Sequence, residues 1–343
     1  MASPPKQHKD KPASFSNAFD NIISTCPHSE PLNLGKSLCQ FMQSTFCPGK
    51  GNFTIAIEDA YDYQMGHVDF DPDKVFSEVV ALSDELSQAF QHLTPDQEAA
   101  FEDHILHCLT RMVYGSNSIE RAGTDLSITM KLCMAIFCGD EIPDETTDEE
   151  FFALKQFLMH KNLPANTAAV LRSRREVIQH AKAASGVYRS HEVSAGLHAF
   201  PHPSLVPNRM HGLIYDLNCD LRQAVKTGAI DPVALATKYA HVFVNIHPFI
   251  DGNGRMCRLI LNSMLLKFGS FIVCLGEQEN DRLTYLDIAA NASMLEVMYE
   301  DAEEKEKPRL HKELASFVLE HVIKGISDLV QVASSNLEAE KMT

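Results

Sequence analysis

The run His247-Pro248-Phe249-Ile250-Asp251-Gly252-Asn253-Gly254-Arg255, with Arg258 one helical turn further on, decides how the rest of the chain is read. It lies between two stretches of helical periodicity. Before it, Val233, Ala236, Ala240 and Phe243 recur on one face, and Asp231-Pro232 suits an N-cap followed by a first helical residue. After it, Met256, Leu259, Ile260, Met264 and Phe268 form a second stripe, and Gly269 is a fitting stop. The spacing predicts one helix over 232–246 and another from about 255, joined by a tight turn.

That turn is dense in chemistry. Gly252 and Gly254 fall where a helix opens, so free backbone N–H groups and the helix dipole make an anion site. Glycine lets a phosphate approach the backbone closely. Arg255 and Arg258 share one side of the new helix, and their guanidinium forks match phosphate oxygens. Asp251 is a hard oxygen donor of the kind that holds Mg²⁺ together with phosphates. His247 titrates in the range suited to taking a proton from a hydroxyl. A dinucleotide fingerprint does not fit, because Cys257 stands at the third glycine position and a helix precedes the turn. No GxxxxGKS or GxxxxGKT run occurs. The plain alternative is a helix–turn–helix corner with an incidental histidine.

The same residues match the HPFx(D/E)GNGR signature, and the chain over roughly 185–300 resembles the Fic (Fido) family. The resemblance implies an all-α fold, a helical core with a β-hairpin flap over the active site. It implies transfer of AMP from ATP to a Ser, Thr or Tyr hydroxyl of a protein, with release of pyrophosphate. On that reading His247 is the general base and Asp251 the Mg²⁺ ligand. Gly252, Asn253, Gly254 and Arg255 form the phosphate cradle, Arg258 meets the γ-phosphate, and Phe249 anchors the loop. The kinase-like Doc branch carries Lys where Gly254 stands, which favours nucleotidyl over phosphoryl transfer here. Arg282 and Tyr285 resemble an R-x-x-Y step that seats adenine, and Asn291 is placed to touch the base. Tyr285 and Asn291 also fit a plain amphipathic helix.

A second stretch, Tyr114 to Arg121, is informative. Gly115 is expected to break a helix opened by Thr94-Pro95, with a new helix over about 117–137. Ser116 and Glu120 resemble the family's inhibitory-helix pattern, Ser/Thr-x-x-x-Glu followed by Gly or Asn. The implied role of Glu120 is to pair with Arg258 and deny it to a γ-phosphate. A carboxylate on an arginine is a charge-assisted pair that competes with phosphate. Arg121 departs from the pattern. Asn117-x-x-Glu120 also reads as a capping box, and the two readings are compatible.

Gly186-Val187-Tyr188-Arg189 to Leu205-Val206-Pro207 mixes β-branched and aromatic residues with Gly, Ser and Pro, a hairpin with a loose tip. It resembles the flap, which in the family takes the target's backbone as an added strand. His191, His198, His202 and His211 lack metal-ligand spacing and read as surface or flap histidines, a metal cluster being the weaker alternative.

Elsewhere the pattern is helical. Stripes begin near Asp73 and Thr94, and further helices are expected over 148–160, 167–184, 205–225 and 308–332. Asp140 to Glu150 reads as a solvated acidic loop, and Arg172, Arg174, Arg175 and Lys182 as an exposed basic face. Phe53 to Ile57 fits a short strand or a helix start. The terminal stripe is read as core packing, with a dimer seam as the alternative. The expected organisation is a disordered tail (1–30), an N-terminal helical region with the inhibitory helix (31–168), a Fido catalytic core (169–304) and a C-terminal helix (305–343).

Composition limits the partners. The net charge is −16, with no basic cluster, which disfavours nucleic acid and an anionic membrane surface. Nine scattered cysteines without a CxxC pair read as reduced thiols. The cytoplasm is the expected location, with the nucleus open. ATP, Mg²⁺ and a target protein docked at the flap are the expected partners, with self-modification and a homo-oligomer open. The rival functions are removal of AMP by the same site, alone or alongside addition, and a nucleotide-sensing binding module without turnover.

Overall fold

The computed structural model describes residues 34–46, 53–63, 70–140, 142–143, 145–182, 188–195, 198–299 and 308–334. The expected tail, residues 1–30, and the flap's opening Gly186-Val187 lie outside them. The described residues form eleven α-helices and two two-stranded sheets. In order these are α1 (Leu34–Phe46), β1 (Thr54–Ile55), α2 (Pro72–Phe90), α3 (Pro95–Ile119), α4 (Leu126–Phe137), α5 (Asp148–His160) and α6 (Thr167–Lys182). There follow β2 (Ser194–Ala195), β3 (His198–Ala199), α7 (Val206–Thr227), β4 (Ala229–Ile230), α8 (Pro232–Ile246), α9 (Asn253–Gly269), α10 (Glu279–Met298) and α11 (Lys312–Ser334). The fold is all-α with a small hairpin, as the periodicity and the resemblance led one to expect.

Local chemistry fixes many of the helix starts. Asp71 and Asp231 cap α2 and α8, each with proline just inside. Thr94 and Gln97 close a capping box at the head of α3. Thr147 caps α5 by accepting from the Glu150 N–H.

Two apolar clusters organise the packing. The larger draws on α1–α3 and α7–α11, with Val233, Ala236, Phe243, Leu261 and Leu265 from α8 and α9 near its centre. Val318, Leu319 and Val322 of α11 are fully buried in it, so the terminal stripe is used inside the chain. The smaller cluster joins α3–α6 through Met112, Leu132, Leu154, Val170 and Val177. Helix α3 belongs to both and so links the two.

The structure corrects three readings and decides one that was open. Helix α3 runs unbroken through Gly115, and the break comes at residues 120–125. A Cβ at position 115 would run into the Leu275 carbonyl, so glycine serves close packing and not helix termination. Asn117 therefore lies inside the last turn of α3 and caps nothing; Asp125 caps α4, accepting from the Ile128 N–H at 3.0 Å. Secondly, Glu150 and Arg174 are both buried and paired at 2.6 Å, and Arg174 also donates to the Pro143 carbonyl. The acidic loop and the basic face thus meet at that pair, while Arg172 and Arg175 stay exposed. Thirdly, Thr54–Ile55 is a strand, paired in parallel with Ala229–Ile230, a partner too distant in sequence to foresee. Finally, Gly269 is still helical, and Ser270, at φ 57°, ends α9.

Candidate active site

Helix α8 is held at both ends. At its head, Asp231 is 1% exposed and accepts from the N–H groups of Val233 and Ala234 and of Glu58, and from the Tyr61 hydroxyl. Burial pushes its carboxyl up to about 6. At its foot, His247 takes the left-handed conformation, φ 49°. Its Nδ1 lies 3.1 Å from the Val244 carbonyl. A carbonyl can only accept, so Nδ1 carries the hydrogen and the lone pair falls on Nε2. Phe200, from the foot of the flap, stacks on the imidazole with ring centres 3.7 Å apart.

Arg189 ties the flap to this loop. Its backbone N–H donates to the Pro248 carbonyl and its Nε to the His247 carbonyl at 2.7 Å, while its other nitrogens reach the carbonyls of His191 and Pro201. Asn253 closes the loop from the other side. Its side chain accepts from the Phe249 N–H at 2.9 Å and donates to the Phe249 carbonyl at 2.8 Å. Buried as it is, the Asn253 amide shapes the turn, and the ligand-facing surface is left to the backbone. Phe249 itself packs between Phe243 and Tyr188.

The turn opens α9 as an anion site requires. Gly252 is left-handed at φ 79°, and α9 has no side-chain cap. A Cβ at Gly252 would meet only the Arg255 guanidinium, 3.9 Å away. The positive end of the helix therefore faces open space bordered by Arg255. Asp251, with its side chain 85% exposed, accepts from the Gly252 N–H at 2.7 Å and lies 3.4 Å from Arg255.

Arg258 is buried, with its guanidinium near Gly254. Its Nε donates to the Ser116 hydroxyl, and its Nη2 to the Ser116 carbonyl and to Glu120 Oε1, all at 2.7–2.8 Å. The ring of Tyr285 lies 5.5 Å from the guanidinium, whereas Asn291 is exposed on α10. The Glu120 carboxylate passes so close to Gly254 that a Cβ there would collide with it. Glycine at 254 thus makes room for the carboxylate as well as for an anion.

Glu120 is the C-cap of α3, and Arg121 follows it at φ 51°. The Arg121 N–H donates to the Ser118 carbonyl and the Ala122 N–H to the Asn117 carbonyl, the pair of bonds that defines a Schellman ending. The residue after the glutamate must then be left-handed, which explains a preference for Gly or Asn at that position.

One neighbour escaped the sequence reading. His180 on α6 is buried, and burial, with the charges of Arg258 and Arg255, lowers its imidazole to about 3. Neither ring nitrogen has a protein partner. The signal was available, since Val170, Ser173, Val177 and His180 follow one helical stripe.

Among the described residues no group of three metal-type side chains gathers, and no helix is long and apolar enough to cross a membrane. The seven described cysteines are free thiols.

A left-handed histidine, an uncapped helix start and an arginine answered by a carboxylate from a distant helix meet at one junction of a helical fold. Residues 162–265 match the Fic/DOC family. A Fido domain-containing protein of Dictyostelium discoideum is 44% identical over 84 residues, which cover 24% of this chain and 56% of that protein. A protein adenylyltransferase Fic of Nematostella vectensis is 28% identical over 186 residues, 52% of this chain and 42% of that one. This chain therefore spans about half the length of these relatives. A crystal structure of a Fic domain containing signaling protein from Bacteroides thetaiotaomicron shares the fold, with a TM-score of 0.51 at 19% identity over 77% of this chain and 98% of that one.

Proposed function

We propose that this chain is a protein adenylyltransferase that moves AMP from ATP to a hydroxyl of a target protein and is restrained by Glu120. The observation that carries the reading is the junction of α8 and α9. It sets a histidine with its lone pair on Nε2 beside an uncapped helix start flanked by Arg255. The acceptor O–H gives its proton to His247 Nε2, and its oxygen bonds to the α-phosphorus. The bond from that phosphorus to the bridging oxygen breaks, and pyrophosphate leaves. The N–H groups opening α9 and Arg255 stabilise the charge that develops. The hairpin at β2 and β3 offers its backbone to the target as an added strand.

Asp251 is the residue that would hold Mg²⁺. Its carboxylate is exposed, and a single hard donor suits a metal held mainly by the ligand's phosphates. Bound there, Mg²⁺ would neutralise phosphate charge.

Glu120 restrains the reaction because its carboxylate already holds Arg258 and lies over Gly254, where a terminal phosphate would come. The test is intact mass after incubation with ATP and Mg²⁺, with self-modification as the readout. Glu120→Gly gains the mass of AMP and the native chain gains far less; Glu120→Gly with His247→Ala gains none. An equal gain with and without His247 would overturn the base assignment. The exposure of the Glu120 side chain, 39%, favours one second reading, in which the carboxylate orients a water that removes AMP. Loss of AMP from modified protein only when Glu120 is present would select it.

A further inference from the structure

The residue that breaks the inhibitory pattern, Arg121, does not stand alone. It lines a cleft of about 380 Å³ between the end of α3, the end of α5 and the first turn of α10. Lys161 and Asn162 come from the end of α5, and Glu279 and Arg282 from α10. The chain as a whole carries −16, yet this cleft has three cations against one acid among its described lining residues. That acid, Glu279, is already taken by Arg282 at 3.1 Å. In two larger cavities the acids outnumber the cations: Asp216 and Glu296 against Arg209 in one, and Glu58, Asp220 and Asp231 against Lys238 and Arg309 in the other.

The backbone around the cleft is unusual in the same place. Four described non-glycine residues have positive φ, and two of them, Arg121 at 51° and Asn162 at 55°, line this cleft. Each ends its helix in a Schellman motif; at Asn162 the bonds run to Met159 and, from Leu163, to Leu158. Asparagine tolerates this conformation. Arginine does so less readily, because its Cβ crowds the backbone there. A long cationic side chain kept at a strained helix end, facing other cations, points to something it holds. Arg282 connects the cleft to the helix end itself, because its Nε donates to the carbonyls of Ser118 and Ile119.

We propose that this cleft is a second anion site, for a small phosphate-bearing molecule, and that its occupant steadies the turn that carries Glu120. A phosphate shared by Arg121 and Lys161 makes charge-assisted hydrogen bonds to two different helices and so clamps the end of α3 to the end of α5. Glu120 precedes Arg121 directly, so a clamped turn keeps its carboxylate on Arg258. Only the consequence for catalysis rests on the adenylyltransferase reading; the site and the steadied turn do not.

The test is amide hydrogen exchange of the full chain with and without inorganic phosphate, at equal ionic strength. Exchange over residues 114–124 slows, by about tenfold at ten times the dissociation constant. The slowing disappears in Arg121→Gln with Lys161→Gln and survives in Arg255→Ala, which disables the anion site at α9. No slowing in the native chain would overturn the proposal. So would slowing that survives in the double variant, or that vanishes in Arg255→Ala alone. Melting of the double variant without phosphate, unchanged within a degree or two, shows that it folds.

Discussion

Two helices in this protein end on a non-glycine residue in the left-handed conformation beside the same site, and they are held very differently. Helix α8 ends at His247 (φ 49°), where Val244, Arg189, Phe200 and the Asn253 amide fix the ring and the loop from several sides. Helix α3 ends at Glu120-Arg121 (φ 51°), where the exposed residues rely on the helix's own carbonyls, on Gly123 against Ser173 and Glu176, and on the pair with Arg258. A conformation that disfavours L-residues needs support from its surroundings. At α8 that support is redundant, which suits a group that must stay in one geometry. At α3 the turn has several backbone supports, but the Glu120 carboxylate is held by one ion pair, with Arg258, which leaves that side chain easier to displace.

The contrast can be broken or sharpened by mutation. The largest effect is expected at the fixed end. His247→Ala in a Glu120→Gly chain should lower the transfer rate by about 10²–10⁴-fold, the worth of a general base, while the melting temperature hardly moves. A matched fall in stability would show that the imidazole is structural. Next comes Gly115→Ala, whose Cβ meets the Leu275 carbonyl. Overpacking there should destabilise by about 2 kcal/mol and push the last turn of α3, with Glu120, off Arg258. Denaturant midpoints and self-modification together read both effects.

Acid should act through buried imidazoles. Burial holds His180 at about 3, His241 at about 4 and His311 at about 3, so the folded chain keeps them neutral. The unfolded chain binds these protons below its ordinary value of about 6.5. Their stability contribution is therefore complete above that pH and is lost as pH falls toward the folded values, by about 1.4 kcal/mol per pH unit for each histidine. His180→Leu should flatten the slope between pH 6 and 5 by one such increment, seen in urea midpoints. The smallest change sharpens the comparison most directly. Arg121→Gly should relieve the strained end, adding up to about 1 kcal/mol of stability and, with the cleft empty, lowering the residual activity of the native chain. If activity rises instead, the strain does not set the strength of the restraint.

Much of the site was legible because its residues are contiguous. A turn bracketed by helical stripes, with glycine where a helix opens, states its own geometry, and the Glu120 pattern could be matched because its serine and glutamate are four apart. What escaped depended on distant partners. Gly115 looks like a helix breaker until the Leu275 carbonyl is seen against it. Glu150 and Arg174 looked solvated because neither sequence neighbourhood reveals the other. The strand at Thr54 needed Ala229 beside it, and His180 needed two arginines from another helix to become notable. Local pattern specifies the elements; tertiary contact decides which polar groups are buried.

The support beneath α8 bears on where the protein can be cut. The segment recognised by family, 162–265, contains Asp231 but not Tyr61 or the Glu58 amide that hold its carboxylate. It contains Arg258 but neither Ser116 nor Glu120. Excised at those bounds, it would carry a buried carboxylate and a buried guanidinium stripped of partners, at opposite ends of the site. The smallest portable version of this domain therefore reaches back at least to Glu58, and a fusion or expression fragment drawn along the recognised boundary would keep the contacts around its histidine while severing those that hold Asp231 and Arg258.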